Sequence, residues 1–391
     1  MAVARRKHDE KWERRELNCG FSLCRHPNRI LSALQAERRK VEAFAMSERV
    51  TRRAARRTPS HVDAGNETTA APAPSDRAAR THKAIAATEP AKKTIALVYD
   101  FDGTLSPRPM QEYSFLPQLG IKAADFWAEC TRVARAESAD PLITYMHLMY
   151  KKAKEKGLRV DRKDLVAQGA SVELYPGVET WFDEIASYAA ERAGTAGVAV
   201  KHYLVSSGLT EIIEGTSIYR KFDNVFASEY WFDAYDLPFP KRVITDTGKT
   251  QYLFRINKGL EDQFQSINTH MPEAVRPIPF SNMIYFGDGE TDVPSMALLK
   301  KNGGHAIAVH APLASSGVRK RAKAKAGQKE KASSPAHSGL AKCIELFQAG
   351  RCDFYATADY RSGSDLFKRT CLLLDRMIAD IRVREEMARL G

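Results

Sequence analysis

The chain has 391 residues, a formal net charge of +12 and 43% hydrophobic residues, enough for two or three domains and a substantial core. No run of 18 apolar residues occurs and the N-terminus lacks an apolar leader segment, so neither a membrane span nor a secretory signal is expected. The charge is uneven: residues 1–93 carry +10, residues 319–331 carry +6 and the remainder carries −4, so the high overall charge is poor evidence that the body of the chain binds nucleic acid.

The six cysteines (19, 24, 130, 343, 352 and 371) include no C-x-x-C pair, which argues against a zinc site or a redox couple. Cys130 and Cys371 fall in apolar helical patterns and are expected to pack as small hydrophobes. This usage suits a reducing, cytoplasmic setting.

Residues 1–93 read as a separate, largely disordered basic extension. A charged helix over 29–57 is followed by a linker over 58–93 rich in Ala, Thr and Pro. Met46 is a candidate natural start. The first element with core character is the run Thr94–Tyr99, whose length and β-branched content predict a buried strand. It ends in Asp100-Phe101-Asp102-Gly103-Thr104. Strand alternation places Asp100 and Asp102 on one side. Two adjacent carboxylates repel each other, and a divalent cation relieves that repulsion.

Residues 107–120, with three prolines, are expected to be loop. Helices are predicted over 121–137, 140–157 and 161–170. The second carries a stripe of Ile143, Met146, His147 and Tyr150 behind an Asp140 N-cap with Pro141 at the first helical position. A helix over 178–193 follows the turn Tyr175-Pro176-Gly177. A second strand, 202–205, runs into Ser206-Ser207-Gly208 and a helix from Thr210, a junction that offers free N–H groups to an anion.

A third strand covers 224–228, and residues 229–256 read as a β-hairpin excursion with a glycine turn at Asp246–Lys249. A helix is expected over 257–270. The strand 283–286 then runs into Gly287-Asp288-Gly289-Glu290-Thr291-Asp292. A helix over 293–301, a strand over 305–309, a basic disordered loop over 313–339, an edge strand near 353–356 and a helix over 364–389 complete the chain. Strands alternating with helices predict an α/β fold, a Rossmann-like parallel sheet covered on both faces. In such sheets ligands bind at the carboxyl ends of the strands, where all three polar clusters fall.

Asp288, with Asp100 and the backbone carbonyl of Asp102, suits a small all-oxygen site of the kind Mg²⁺ prefers. Asp292 is expected to support it. Lys258 is the expected partner for a nucleophilic carboxylate. Lys249 is its rival.

The ordered set Asp100-x-Asp102, Ser206, Lys258 and Asp288-x-x-x-Asp292 resembles the four motifs of the haloacid dehalogenase-like hydrolases, over residues 94–310 and the closing segment. The resemblance implies a Mg²⁺-dependent phosphomonoester phosphatase. Asp100 would be the nucleophile, Asp102 the acid and base, Ser206 a phosphoryl donor and Lys258 the stabilising cation, with metal ligation involving Asp100, Asp102, Asp288 and Asp292. Ser207, Gly208, Thr104 and Glu112 are expected to touch the substrate, with Arg108 a further candidate. One departure is Thr291, which stands where many phosphatases of the family carry Asn. The segment 107–195 sits where a helical cap sits in the phosphoserine phosphatase-like branch, leaving 94–106 and 196–391 as the core. A small phosphorylated substrate is the expected partner, with no membrane and no nucleic acid. A phosphotransferase or dehalogenase is the alternative within the family. A nucleic-acid-associated module using the basic tail is the alternative outside it.

Overall fold

The computed structural model describes residues 93–232, 239–313 and 335–390. The expectations for the extension 1–92, its helix and Met46, and for most of the basic loop, lie outside the described residues. Seven strands form one sheet: β1 (Thr94–Tyr99), β2 (Ala199–Leu209), β3 (Asn224–Trp231), β4 (Phe239–Arg242), β5 (Met283–Gly287), β6 (His305–His310) and β7 (Phe354–Thr357). Their order is β4-β3-β2-β1-β5-β6-β7. All neighbours are parallel except β3 and β4, which form an antiparallel hairpin at one edge.

β1 lies at the centre because five consecutive residues, Ile95 to Tyr99, are buried. A parallel strand covered on both faces needs such an unbroken apolar run. Alternation divides the core. Leu97, Tyr99, Leu204 and Phe286 pack on one face, and Ala96, Val98, Tyr203, Val205 and Tyr285 on the other. On the first face Tyr99 stacks on Phe286, with ring centroids 4.8 Å apart. Its hydroxyl accepts from Trp181 Nε1 at 2.9 Å and lies 3.0 Å from His202 Nδ1.

Between β1 and β2 the chain forms α1 (Phe115–Leu119), α2 (Ala123–Glu137), α3 (Pro141–Glu155), α4 (Arg162–Gln168) and α5 (Val178–Ala193). Asp140 caps α3 by accepting from Leu142 N and Ile143 N, as the sequence predicts. The buried face of α3 is rotated from the expected stripe. Tyr145, Met146, Leu148 and Met149 are buried, whereas Ile143 is 47% exposed and His147 faces solvent. α5 packs on β2 and on α10 (Asp365–Leu390) through Trp181, Phe182 and Ile185. It therefore belongs with the sheet, and the helical segment expected to end at 195 returns to the sheet at Gly177. There the backbone of Tyr360 and Arg361 leaves no room for a Cβ.

α6 (Thr210–Glu214) follows β2. α7 (Gly248–Lys258), α8 (Val293–Lys301) and α9 (Pro335–Gln348) contribute to the second face. α7 corrects two expectations. Residues 248–256 are helix rather than the arm of a hairpin, and 257–270 is mostly non-helical. The helix ends at Lys258 because Gly259 adopts φ +64°, a left-handed stop that glycine takes without strain. Downstream backbone then folds onto cations of α7. Arg255 donates to the carbonyls of Leu260, Asp262, Gln263 and Gln265. Among the described residues, no helix is long and apolar enough to cross a membrane.

Candidate active site

β1 and β5 run side by side, with Tyr99 opposite Phe286. The ladder continues one residue further, since Asp100 N donates to Phe286 O at 2.9 Å. The two strands therefore deliver Asp100 and Asp288 to the same edge of the sheet. The chain turns at once after Phe101, whose carbonyl accepts from the N–H groups of Thr104, Leu105 and Ser106. Gly103 makes the turn possible with φ +81°. A Cβ there would lie 2.3 Å from Asp288 Oδ2. Oxygens of Asp100, Asp288 and Asp292 lie within 4.8 Å of one another.

The cation of this cluster is Lys249, in the first turn of α7. Its side chain is fully buried. Nζ lies 3.0 Å from Asp100 Oδ1 and donates to Asp292 Oδ1 at 2.7 Å. Lys258, expected in this role, is nine residues further along the helix, roughly 13 Å at 1.5 Å rise per residue. Its ammonium instead donates to the carbonyls of Ile267 and Thr269. Reading Asp246–Lys249 as a turn conceals Lys249. The signal for it is the apolar set Tyr252, Leu253 and Ile256, a helical spacing that begins just after Gly248.

Asp292 has both oxygens occupied. Oδ1 accepts from Lys249 Nζ and from Tyr285 OH at 2.7 Å. Oδ2 accepts from Asp288 N at 3.1 Å and Gly289 N at 3.3 Å. Gly287 is required beside it, because a Cβ there would lie 2.4 Å from Asp292 Oδ2. Thr291, at the departure from the family pattern, lies with Oγ1 3.5 Å from Lys249 Nζ.

Asp102 is half-buried, and its Oδ1 accepts from Met110 N at 2.9 Å. The Met110 side chain reaches across to Gly208, where a Cβ would lie 2.1 Å from its Cε and 3.2 Å from Asp102 Oδ2. Asp102 thus sits between the start of the helical segment and the end of β2. Ser206 is 1% exposed, and its Oγ accepts from Gly208 N at 3.0 Å, leaving the hydroxyl proton available.

Of the remaining expected substrate contacts, Ser207, Glu112 and Arg108 are engaged elsewhere, whereas the buried Thr104 hydroxyl has no hydrogen-bond partner among the described residues. Ser207 Oγ donates to Ile244 O, and the Ser207 carbonyl accepts from Tyr145 OH. Glu112 accepts from Trp127 Nε1 at 2.7 Å. Thr104 is fully buried, and its carbonyl accepts from Tyr360 OH. Arg108 lies over the Tyr113 ring and 3.8 Å from Glu173.

Burial dominates the electrostatics. It pushes the Asp100 carboxyl up to about 6, against the pull of Lys249. It pushes Asp288 up to about 8, reinforced by Asp292 and Asp100. Asp102 is raised well above the usual carboxylate range by burial and then by Asp100. Burial opposes the charge on Lys249, but Asp100 and Asp292 together outweigh it and hold the ammonium above its ordinary value. Four carboxylates thus converge around one lysine. Hard oxygen donors in excess of protein cations are the donor set a small divalent ion fits. Asp288 and Asp100 are the residues suited to hold it. Cavities of about 590 and 760 Å³ lie in and beside the helical segment and do not include these residues.

The model of the haloacid dehalogenase-like hydrolases matches residues 97–297. A Borreliella burgdorferi protein described only as uncharacterized is 29% identical over 228 residues, 52% of this chain and 78% of its own length. A solved HAD-family hydrolase from Salmonella enterica serovar Typhi aligns at 17% identity with a TM-score of 0.38. The alignment covers 56% of this chain and 62% of that one, less than two thirds of its length. A phosphoserine phosphatase carrying a phospho-aspartyl intermediate analogue aligns at 13% identity with a TM-score of 0.41, over 71% of this chain and 97% of that one.

Proposed function

The chain belongs to the haloacid dehalogenase-like hydrolases, and from that premise we propose that it is a Mg²⁺-dependent phosphatase cleaving a small phosphomonoester through an aspartyl-phosphate. The observation that carries this reading is the buried cluster of Asp100, Asp288 and Asp292 around Lys249, with Asp102 two residues from Asp100. In the first step a carboxylate oxygen of Asp100 forms a bond to phosphorus and the ester P–O bond breaks. Asp102 gives its proton to the departing oxygen. In the second step Asp102 takes a proton from water, the water oxygen attacks phosphorus, and the bond to Asp100 breaks to release phosphate. Covalent catalysis divides one difficult displacement into two easier ones.

Asp102 suits both roles. Met110 N–H fixes Oδ1, and its raised proton affinity lets it begin as the acid. Ser206 donates its hydroxyl to the phosphoryl group. Lys249, rather than Lys258, balances charge on Asp100 and the transferring group. Asp100, Asp288 and the Asp102 carbonyl would hold Mg²⁺, with Asp292 behind them. The ion when bound supplies charge compensation for the crowded carboxylates and phosphoryl oxygens. Helices α1–α4 act as a cap that excludes water from the site. Met110 against Asp102 and Gly208, and Tyr145 on the Ser207 carbonyl, support that role.

The four described cysteines are unpaired and buried, consistent with work in the cytoplasm. A dehalogenase has no use for a second acid at Asp102, so that alternative is weaker. A phosphotransferase would differ only in the acceptor. The test is hydrolysis of p-nitrophenyl phosphate with Mg²⁺. Turnover that disappears in Asp100→Asn is expected. Full turnover in that variant, or none by the wild type across a panel of phosphorylated metabolites, would reject the proposal.

A further inference from the structure

Asp292 is held by four donors, and one of them, Tyr285, is not among the candidate residues read from the sequence. Tyr285 is in the interior of β5, opposite Val98 and Ala306, and is fully buried. Its hydroxyl donates to Asp292 Oδ1 at 2.7 Å, the same oxygen that accepts from Lys249 Nζ at 2.7 Å. A carboxylate oxygen offers two lone-pair directions in its plane. With Tyr285 on one and Lys249 on the other, the ammonium is confined to a single direction. That direction leaves Nζ 3.0 Å from Asp100 Oδ1.

We infer that Tyr285 is a positioning residue: by filling one lone pair of Asp292 Oδ1 it fixes Lys249 against Asp100. Without the hydroxyl, Oδ1 has a vacant lone pair and a less shared charge. Lys249 then settles further onto Asp292 and away from Asp100. Asp292 Oδ2 cannot compensate, because the backbone N–H groups of Asp288 and Gly289 already occupy it. The hydroxyl is the active feature, and phenylalanine removes it while keeping the ring that packs in this face of the core. The inference rests on the reading of Lys249 and Asp100 given above, but its structural part can fail independently.

The experiment is Tyr285→Phe, assayed with p-nitrophenyl phosphate and Mg²⁺ and solved by crystallography. The expected kcat is about tenfold lower, the loss of roughly one hydrogen bond to a charged group, with KM within about twofold. The expected crystal structure shows Lys249 Nζ displaced from Asp100 toward Asp292. A merely structural tyrosine would lower the melting temperature and leave kcat and the Lys249 position alone, and that result overturns the inference. If the wild type hydrolyses no phosphomonoester, the phosphatase reading fails while the crystallographic comparison still decides the role of Tyr285. Should Tyr285→Phe not fold, 3-fluorotyrosine at 285 keeps the shape with a more acidic hydroxyl. At least a twofold change in kcat is then expected, on the order of a few tenths of one such hydrogen bond, and an unchanged kcat overturns the inference.

Discussion

Lys249→Met and Lys258→Met form a matched pair that tests which lysine serves the site. At 3.0 Å and an effective dielectric of about 20, the Lys249–Asp100 attraction is ~5.5 kcal/mol before desolvation is counted. Removing one partner of a buried, hydrogen-bonded pair costs about 3–5 kcal/mol, because the remaining carboxylates are left short of a counter-charge. For a domain of this size that corresponds to a fall in melting temperature on the order of 10 °C. The loss of a preorganised donor at the reacting group lowers turnover by about 10²–10³-fold. Lys258 holds only two loop carbonyls, so Lys258→Met should cost about 1 kcal/mol and leave turnover within about twofold. The assay is p-nitrophenyl phosphate hydrolysis with Mg²⁺, alongside thermal melts. A Lys258→Met variant that loses turnover while Lys249→Met keeps it would refute the assignment.

Three further outcomes follow from the same geometry. Gly103→Ala should lower turnover by about tenfold or more and weaken half-activation by Mg²⁺, since φ +81° costs an L-residue about 1–2 kcal/mol and the added Cβ would meet Asp288 Oδ2 at 2.3 Å; unchanged metal activation would contradict the fit between Gly103 and Asp288. Chelation should abolish turnover and raise the susceptibility of the fold to urea, and added Mg²⁺ should restore both, because the carboxylates outnumber Lys249; full activity in excess chelator would reject the metal site. Burial lowers His202 from its ordinary 6.5 to about 4, so the unfolded chain binds its proton first. Its contribution is therefore complete above pH 6.5 and is lost as pH falls toward 4, by about 3 kcal/mol. The stability gap between wild type and His202→Gln should narrow by that amount from pH 7 to pH 4, and a gap independent of pH would count against the assignment.

Much of the sheet is legible in the sequence because its strands are buried on both faces. The runs 94–99, 202–205, 283–286 and 305–309 read as mainly apolar segments, and each is a strand or part of one. The polar clusters Asp100-Phe101-Asp102, Ser206-Ser207 and Asp288 are legible because each follows directly on such a run. The local signal at Asp140-Pro141 is equally readable, because a cap is satisfied by residues two and three positions away. What the sequence hides depends on partners distant in the chain. Glu112 looks free to meet a substrate, yet Trp127 takes it. Ser207 looks like a phosphate donor, yet its hydroxyl points to the carbonyl of Ile244.

The lysines show most clearly where a sequence stops being informative. Both lie on α7, and the local context favours Lys258, which stands beside an asparagine and a glycine as if opening a helix. That glycine in fact closes the helix, with φ +64°. The difference between a helix start and a helix end moves the expected cation by the length of the helix. Asp288 and Asp292 make the same point about identical side chains four residues apart. Asp292 has both oxygens filled by Lys249, Tyr285 and two backbone N–H groups, so a cation binding it directly must displace one of them. Asp288 is half-buried and is raised to about 8 by burial and neighbouring acids, so a positive ion beside it would relieve that cost. Residue type marks this edge of the sheet as the candidate site. The donors each oxygen already accepts decide which carboxylate would be open to a cation and which one holds the lysine.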